Sequence, residues 1–213
     1  MENQQGFFDF AAYVGLTKHI GGVAATDALA GLCHIEPGKY VLDVGCGAGV
    51  SPCYLAAKYG CRVMGVDIKA QMIERSRERA SRENLTDKVA FRVADAQDLP
   101  FGDGEFDAVI TESVTAFPED KQKAVHEYAR VTKAGGYVGL NECVWLRVPP
   151  PPEIVAWASQ DLGGAVKPLT PDEWVGLLEH AVCGTGRRRR TRSTPGKKPG
   201  GSWTGMAGEG CSA

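Results

Sequence analysis

The sequence predicts an α/β fold, a doubly wound and mainly parallel sheet preceded by N-terminal helices. Short, continuously apolar stretches alternate with amphipathic ones from residue 40 onward, which is the pattern of strands buried on both faces by helices. The first such stretch runs straight into the glycine-rich turn Gly45-Cys46-Gly47-Ala48-Gly49. Acids then stand at the ends of three successive apolar stretches, at Asp43, Asp67 and Asp95.

In chain order, Phe7, Phe8, Phe10, Tyr13, Val14 and Leu16 form an apolar cluster that predicts a helix in the first thirty residues. Gly21-Gly22 breaks it, a second helix is expected over 26–33, and Pro37-Gly38 is a turn. Strands are expected over 40–44, 62–66, 89–93, 106–111 and 137–141. Helices are expected over 52–59, 70–83 and 121–131, with a turn at Gly135-Gly136. Ser51-Pro52 suits a helix N-cap followed by a first-turn proline. Thr170-Pro171-Asp172-Glu173 is a capping box opening a helix to about residue 182. Between them, Pro149 to Pro152 predicts an extended run and then a helix near 153–161. This stretch is expected to cover a site and not to join the sheet. Right-handed crossovers leave few topologies for such a series.

Composition narrows the function classes. With 213 residues, 43% hydrophobic and 23% charged, the chain has the make-up of a water-soluble domain with a small accessory piece. No apolar run reaches the roughly 18 residues of a membrane span, and residues 1–5 have no basic lead into an apolar run, so a cytoplasmic location is expected. Seven cysteines without a C-x-x-C pair predict free thiols, with neither a disulfide frame nor a metal site. Seven basic residues and one acid follow Gly186, a net +6 that leaves the body at −8. An acidic body argues against a nucleic-acid surface on the folded part.

The chemistry-bearing constellation is Val41-Leu42-Asp43-Val44-Gly45-Cys46-Gly47-Ala48-Gly49, a strand, bare-backbone turn and helix entry. In open parallel sheets ligands bind in the crevice at this end of the strands. Glycines let the backbone approach a ligand closely. The spacing G-x-G-x-G departs from the dinucleotide pattern G-x-G-x-x-G. In Gly65-Val66-Asp67, an acid at the second strand's tip can accept both ribose hydroxyl hydrogens of a nucleoside ligand. Asp95 closes the third strand in register with them.

Taken with the runs Gly65-Val66-Asp67-Ile68, Val93 to Phe101, Phe106 to Ser113 and Val131 to Leu140, this turn resembles the motif series of the class I S-adenosylmethionine (SAM)-dependent methyltransferases. The nearest branch acts on small molecules and includes quinone, sterol and phosphoethanolamine methyltransferases; the similarity spans roughly residues 10–182. The resemblance implies a Rossmann-like sheet, SAM as cofactor and a small-molecule methyl acceptor. It implies that Gly45, Gly47 and Gly49 lie under the methionine moiety and that Asp43 helps hold its amino group. It further implies Asp67 on the ribose, Ile68 on the adenine face, and Asp95 with the Ala96 backbone at the adenine edge. Glu112 would end the fourth strand beside the reacting centre. The segment from Lys18 to Gly22 resembles the N-terminal loop that closes over SAM in this branch. His19, Tyr13 or Glu112 is the candidate to take a proton from an acceptor that arrives protonated. The acceptor pocket would draw on the N-terminal helix, residues 145–161 and Asn141, Glu142 and Cys143.

Rival readings fare worse. A nicotinamide enzyme would want G-x-G-x-x-G and a later catalytic pair. Nucleic-acid amino-methylating enzymes carry an Asn/Asp-Pro-Pro-aromatic run where this chain has Thr111-Glu112-Ser113-Val114. Pro52-Cys53 superficially matches the nucleophile of cytosine-C5 enzymes, but it opens a helix. Domain boundaries are expected at 1–182 for the methyltransferase domain, with cap helices in 1–36 and a cover at 144–170. The tail, 183–213, departs from the family. Of its 31 residues eight are glycine and none is Val, Ile, Leu, Phe or Tyr. It is therefore expected to be disordered, with the usual last two strands missing, as a change of reading frame near Ala181 would produce. A SAM-binding protein with little or no activity is the alternative this raises; a basic arm for nucleic acid is a third.

Overall fold

The computed structural model describes residues 19–161, 167–183, 189–193 and 202–210, with side chains for 19–156 and 167–181. Its elements are α1 (Gly22–Leu32), β1 (Tyr40–Val44), α2 (Val50–Tyr59), β2 (Arg62–Asp67), α3 (Ala70–Arg82), β3 (Val89–Val93), β4 (Phe106–Glu112), α4 (Lys121–Val131), β5 (Thr132–Cys143), α5 (Pro152–Asp161), α6 (Pro171–Cys183), β6 (Arg189–Ser193) and β7 (Ser202–Gly210). The sheet order is β3-β2-β1-β4-β5-β7-β6. The first five strands are parallel, as the alternation of elements predicts.

Side chains alternate across a strand, so the inner strands feed two cores. Val41, Val63, Ala108 and Ile110 pack with Leu29, Leu55 and Ile73 of α1, α2 and α3. Leu42, Val44, Val66, Val109 and Leu140 pack on the other face with Tyr128 of α4 and Trp174 and Leu178 of α6. Asp43 shares its side of β1 with Val41 and therefore belongs to the face of α1 to α3. A fixed knot docks α1 onto α2: Asp27 accepts from Tyr54 Oη at 2.7 Å, Tyr59 Oη at 2.8 Å and Lys58 Nζ at 2.7 Å. The lysine and the two phenols hold the Asp27 carboxyl down at about 2.

Several boundaries differ from expectation for local reasons. Helix α1 opens at Gly22 and not near residue 26, because Gly21 and Gly22 turn the chain at φ 83 and 54 and lead directly into the helix. Ser51 is not the N-cap of α2. Gly49 holds that position, and Ser51 and Pro52 lie in the first turn, where a missing proline N–H costs nothing. The turn at Gly135-Gly136 lies inside β5, whose pairing with β4 skips from Thr132 to Tyr137.

The largest correction concerns the tail. Strand β7 pairs antiparallel with β5 from Val138 to Cys143, and β6 pairs antiparallel with β7. The last two strands are therefore present. A sheet edge recruits a neighbour through backbone N–H and C=O groups, which glycine, serine and threonine supply as well as valine does. Residues 184–188, 194–201 and 211–213 lie outside the described residues.

The capping box at α6 forms as expected: Thr170 N donates to Glu173 Oε2 at 2.7 Å, and Glu173 N donates to Thr170 Oγ1 at 3.3 Å. Thr170→Ala should cost about 1 kcal/mol, read as a fall of roughly 2–4 °C in Tm by calorimetry.

Candidate cofactor crevice

The crevice lies at the carboxyl ends of β1, β2 and β4. Gly45, Gly47 and Gly49 all take positive φ, at 75, 53 and 76. A Cβ on Gly45 would run into the Val114 side chain of the loop after β4, whereas one on Gly47 would meet nothing within 4 Å. The turn is thus closed against the protein at Gly45 and open to a ligand at Gly47.

Asp67 ends β2 with its carboxylate held from two sides. Gly47 N donates to Oδ2 at 3.0 Å and Lys69 N to Oδ1 at 2.9 Å. Each oxygen keeps a second lone pair for a further donor. Burial raises the Asp67 pKa, and the two backbone N–H groups oppose that. Ile68, beside it, is 64% exposed, an apolar platform without cover among the described residues. Asp95 Oδ1 accepts from Gln97 N at 2.8 Å, an Asx turn that presents the carboxylate at the end of β3. The Ala96 side chain packs against the α4–α6 core from the same turn.

Deeper in, three side chains converge on Glu112. Ser51 Oγ donates to its Oε2 at 2.9 Å, and Thr26 Oγ1 lies 3.2 and 3.1 Å from its two oxygens. His19 Nδ1 stands 3.4 Å from Oε1, and His19 Nε2 is 3.2 Å from Thr26 Oγ1. The single Thr26 proton goes to the carboxylate, which makes Nε2 the donor to Thr26. Any proton on Nδ1 then faces Glu112. The His19 segment is pinned by its backbone as well: Ile20 N donates to Ser113 Oγ at 3.1 Å, and Asn141 Nδ2 donates to Ile20 O at 2.8 Å. Asp43 is buried, and its Oδ2 has no partner among the described residues. Burial, then Glu112, then Asp67 drive its pKa well above the usual carboxylate range.

The structure thus brings His19, Asp43 and Glu112 together and sets Asp67 against Gly47, with Ile68, Asp95 and Ala96 at the neighbouring strand ends. Tyr13 lies outside the described residues. Thr26 is unmarked in the sequence and Ser51 reads there only as a helix cap; their partner is 86 and 61 residues away, and no local spacing marks such a contact. Cys33, Cys46, Cys53 and Cys61 are buried free thiols, and Cys143 is a half-buried one. No group of three or more His, Cys, Asp or Glu among the described residues could hold a metal ion, and none of the helices there is long and apolar enough to cross a membrane. A separate cavity at the opposite end of the sheet, lined by Lys39, Asp107 and Lys133 among others, has its acid committed to Tyr40 N and Lys133 Nζ.

Residues 42–140 match the family model described as "Methyltransferase domain". The chain is 37% identical over 145 residues to a probable chloroplastic tocopherol O-methyltransferase of Oryza sativa subsp. japonica, covering 68% of this chain and 36% of that protein. It is 34% identical over 160 residues to the 27-O-demethylrifamycin SV methyltransferase of Amycolatopsis mediterranei, covering 73% and 58%. The chain thus spans well under two thirds of the length of these two curated relatives. A solved geranyl diphosphate methyltransferase in complex with SAM shares the fold, with a TM-score of 0.72, 19% identity and coverage of 88% of this chain and 85% of that one.

Proposed function

We propose that this chain, similar over residues 42–140 to the methyltransferase domain family, is a class I SAM-dependent methyltransferase that transfers the SAM methyl group to a small-molecule acceptor. The observation that carries this reading is the convergence of Asp43, Asp67 and Glu112 on an open glycine turn, with one buried carboxyl oxygen left for a ligand. An acid-lined crevice suits a cofactor bearing both an ammonium and a sulfonium. Asp67 holds the ribose hydroxyls, Ile68 packs on adenine, and Asp95 and the Ala96 backbone take its edge. Gly45, Gly47 and Gly49 let the methionine moiety approach, with Asp43 and Glu112 toward its ammonium. Bound SAM supplies a methyl group on a good leaving group. The protein's own work is to align the acceptor and exclude water. His19, Tyr13 or Glu112 takes a proton from an acceptor that arrives protonated.

The proposed domain spans 1–182, with cap helices in 1–36 and a cover at 144–170, and works in the cytoplasm on an acceptor other than nucleic acid. The glycine- and arginine-rich composition of the last two strands favours a second reading, SAM binding with little turnover. Titration calorimetry with SAM and with NAD, followed by turnover on a metabolite extract with mass detection of methylated products, separates these. Binding of NAD in place of SAM defeats the proposal, and tight SAM binding without any methylated product favours the second reading. Asp67→Ala should raise the SAM dissociation constant about tenfold or more, the loss of roughly 1.5–3 kcal/mol from a charge-assisted hydrogen bond. Unchanged affinity in that variant removes Asp67 from the site.

A further inference from the structure

Glu142 lies near the end of β5, one residue after Asn141 and hence on the face opposite Glu112 and Asp43. It is 3% exposed, in a position where an acid needs a reason. Its Oε1 accepts the amide N–H of Val114 at 2.9 Å and of Thr115 at 2.5 Å. Its Oε2 is buried with no hydrogen-bond partner among the described residues. Two successive amides turned on one carboxyl oxygen make a small nest, here built around the protein's own side chain.

The segment so gathered touches three separate parts of the crevice. Ser113, at φ 60, accepts from Ile20 N of the N-terminal segment. Val114 is the side chain against which Gly45 is packed. Ala116 O accepts from Lys167 N at 3.1 Å, at the far end of the cover. Glycine turn, N-terminal segment and cover therefore meet on residues 113–116, whose two central amides are held by one carboxyl.

We infer that Glu142 is a positioning residue, which holds Val114 and Thr115 and thereby couples cofactor binding at the glycine turn to seating of the cover. This rests on the proposed SAM crevice. It acts through the loop and not on the reacting atoms.

Three substitutions separate gathering from mere filling. Glu142→Gln keeps a carbonyl oxygen for the same amides. Glu142→Leu keeps the bulk and accepts nothing. Glu142→Asp keeps the charge on a stem one carbon shorter. In the full chain, Glu142→Gln should bind SAM within about threefold of the parent, while Glu142→Leu and Glu142→Asp should bind about tenfold or more weakly. Limited proteolysis should cleave the cover faster in the Leu and Asp variants alone. Leu140→Ala, a buried core change on the same strand, should lower Tm and leave SAM affinity in place. Equal affinity in the Leu and Gln variants, or affinity that follows Tm across the whole set, overturns the inference. Should the Leu variant not fold, Asp against Gln makes the same comparison. A parent protein that ignores SAM sinks the proposed function instead, and the proteolysis comparison still decides whether Glu142 seats the cover.

Discussion

Gly45→Ala should weaken SAM binding by about a hundredfold, which is close to 3 kcal/mol. Two costs combine at this position. The residue sits at φ 75, a left-handed conformation that an L side chain adopts at a cost of roughly 1–2 kcal/mol. The added Cβ also runs into Val114, and relieving that overlap costs about 1–3 kcal/mol. Either the turn or the loop after β4 must move, and both border the crevice. Calorimetry with SAM measures the loss, and a thermal melt shows whether the fold survives it. Gly102→Ala is the control, since a Cβ there meets nothing within 4 Å; it should change neither quantity. Parent-like SAM affinity in a folded Gly45→Ala protein would mean that the turn does not shape the site.

The apo protein should lose stability between pH 5 and pH 8, opposite to the trend of a protein held by ion-paired carboxylates. Burial lifts Glu142 from an ordinary 4.5 to about 7, against the pull of the loop amides. Between those values the folded chain keeps a proton that the unfolded chain releases. The Glu142 contribution is therefore complete below 4.5, shrinks as pH rises, and is gone above about 7. The loss from pH 5 to 8 should amount to about 2–3 kcal/mol, or roughly 5–10 °C in Tm. The raised Asp43 pKa acts with the same sign. Melts across this range should flatten by the Glu142 share in Glu142→Gln. Should that variant keep the full slope, the proton resides elsewhere.

How far the sequence reveals this molecule depends on the range of the interactions concerned. The central strands are legible because burial on both faces forces a run such as Tyr40–Val44 to be apolar; that run forms as read, as does the edge strand Val89–Val93, which buries only alternate residues. The capping box at Thr170 is legible because its partners are three residues apart. Ser51 is the opposite case: its neighbours suggest a helix cap, yet its hydroxyl serves Glu112 across the sheet. The nest around Glu142 is equally silent, since backbone amides leave no mark in a residue string. Strands β6 and β7 escaped notice because side-chain composition is a poor guide to a pairing made by main-chain groups. Within the crevice, the acids at the strand tips announce themselves by register, while the hydroxyls that orient them do not.

The position of β7 has a consequence for how this chain comes into being. It is inserted beside β5, yet it is synthesised after all the other described strands. Strands β1 to β5 can find their parallel neighbours before it exists. The outer flank of β5 waits for residues 202–210 to emerge. During that interval Val138 to Cys143 offers open main-chain groups to any nascent chain nearby, which makes crowded translation a condition that favours aggregation.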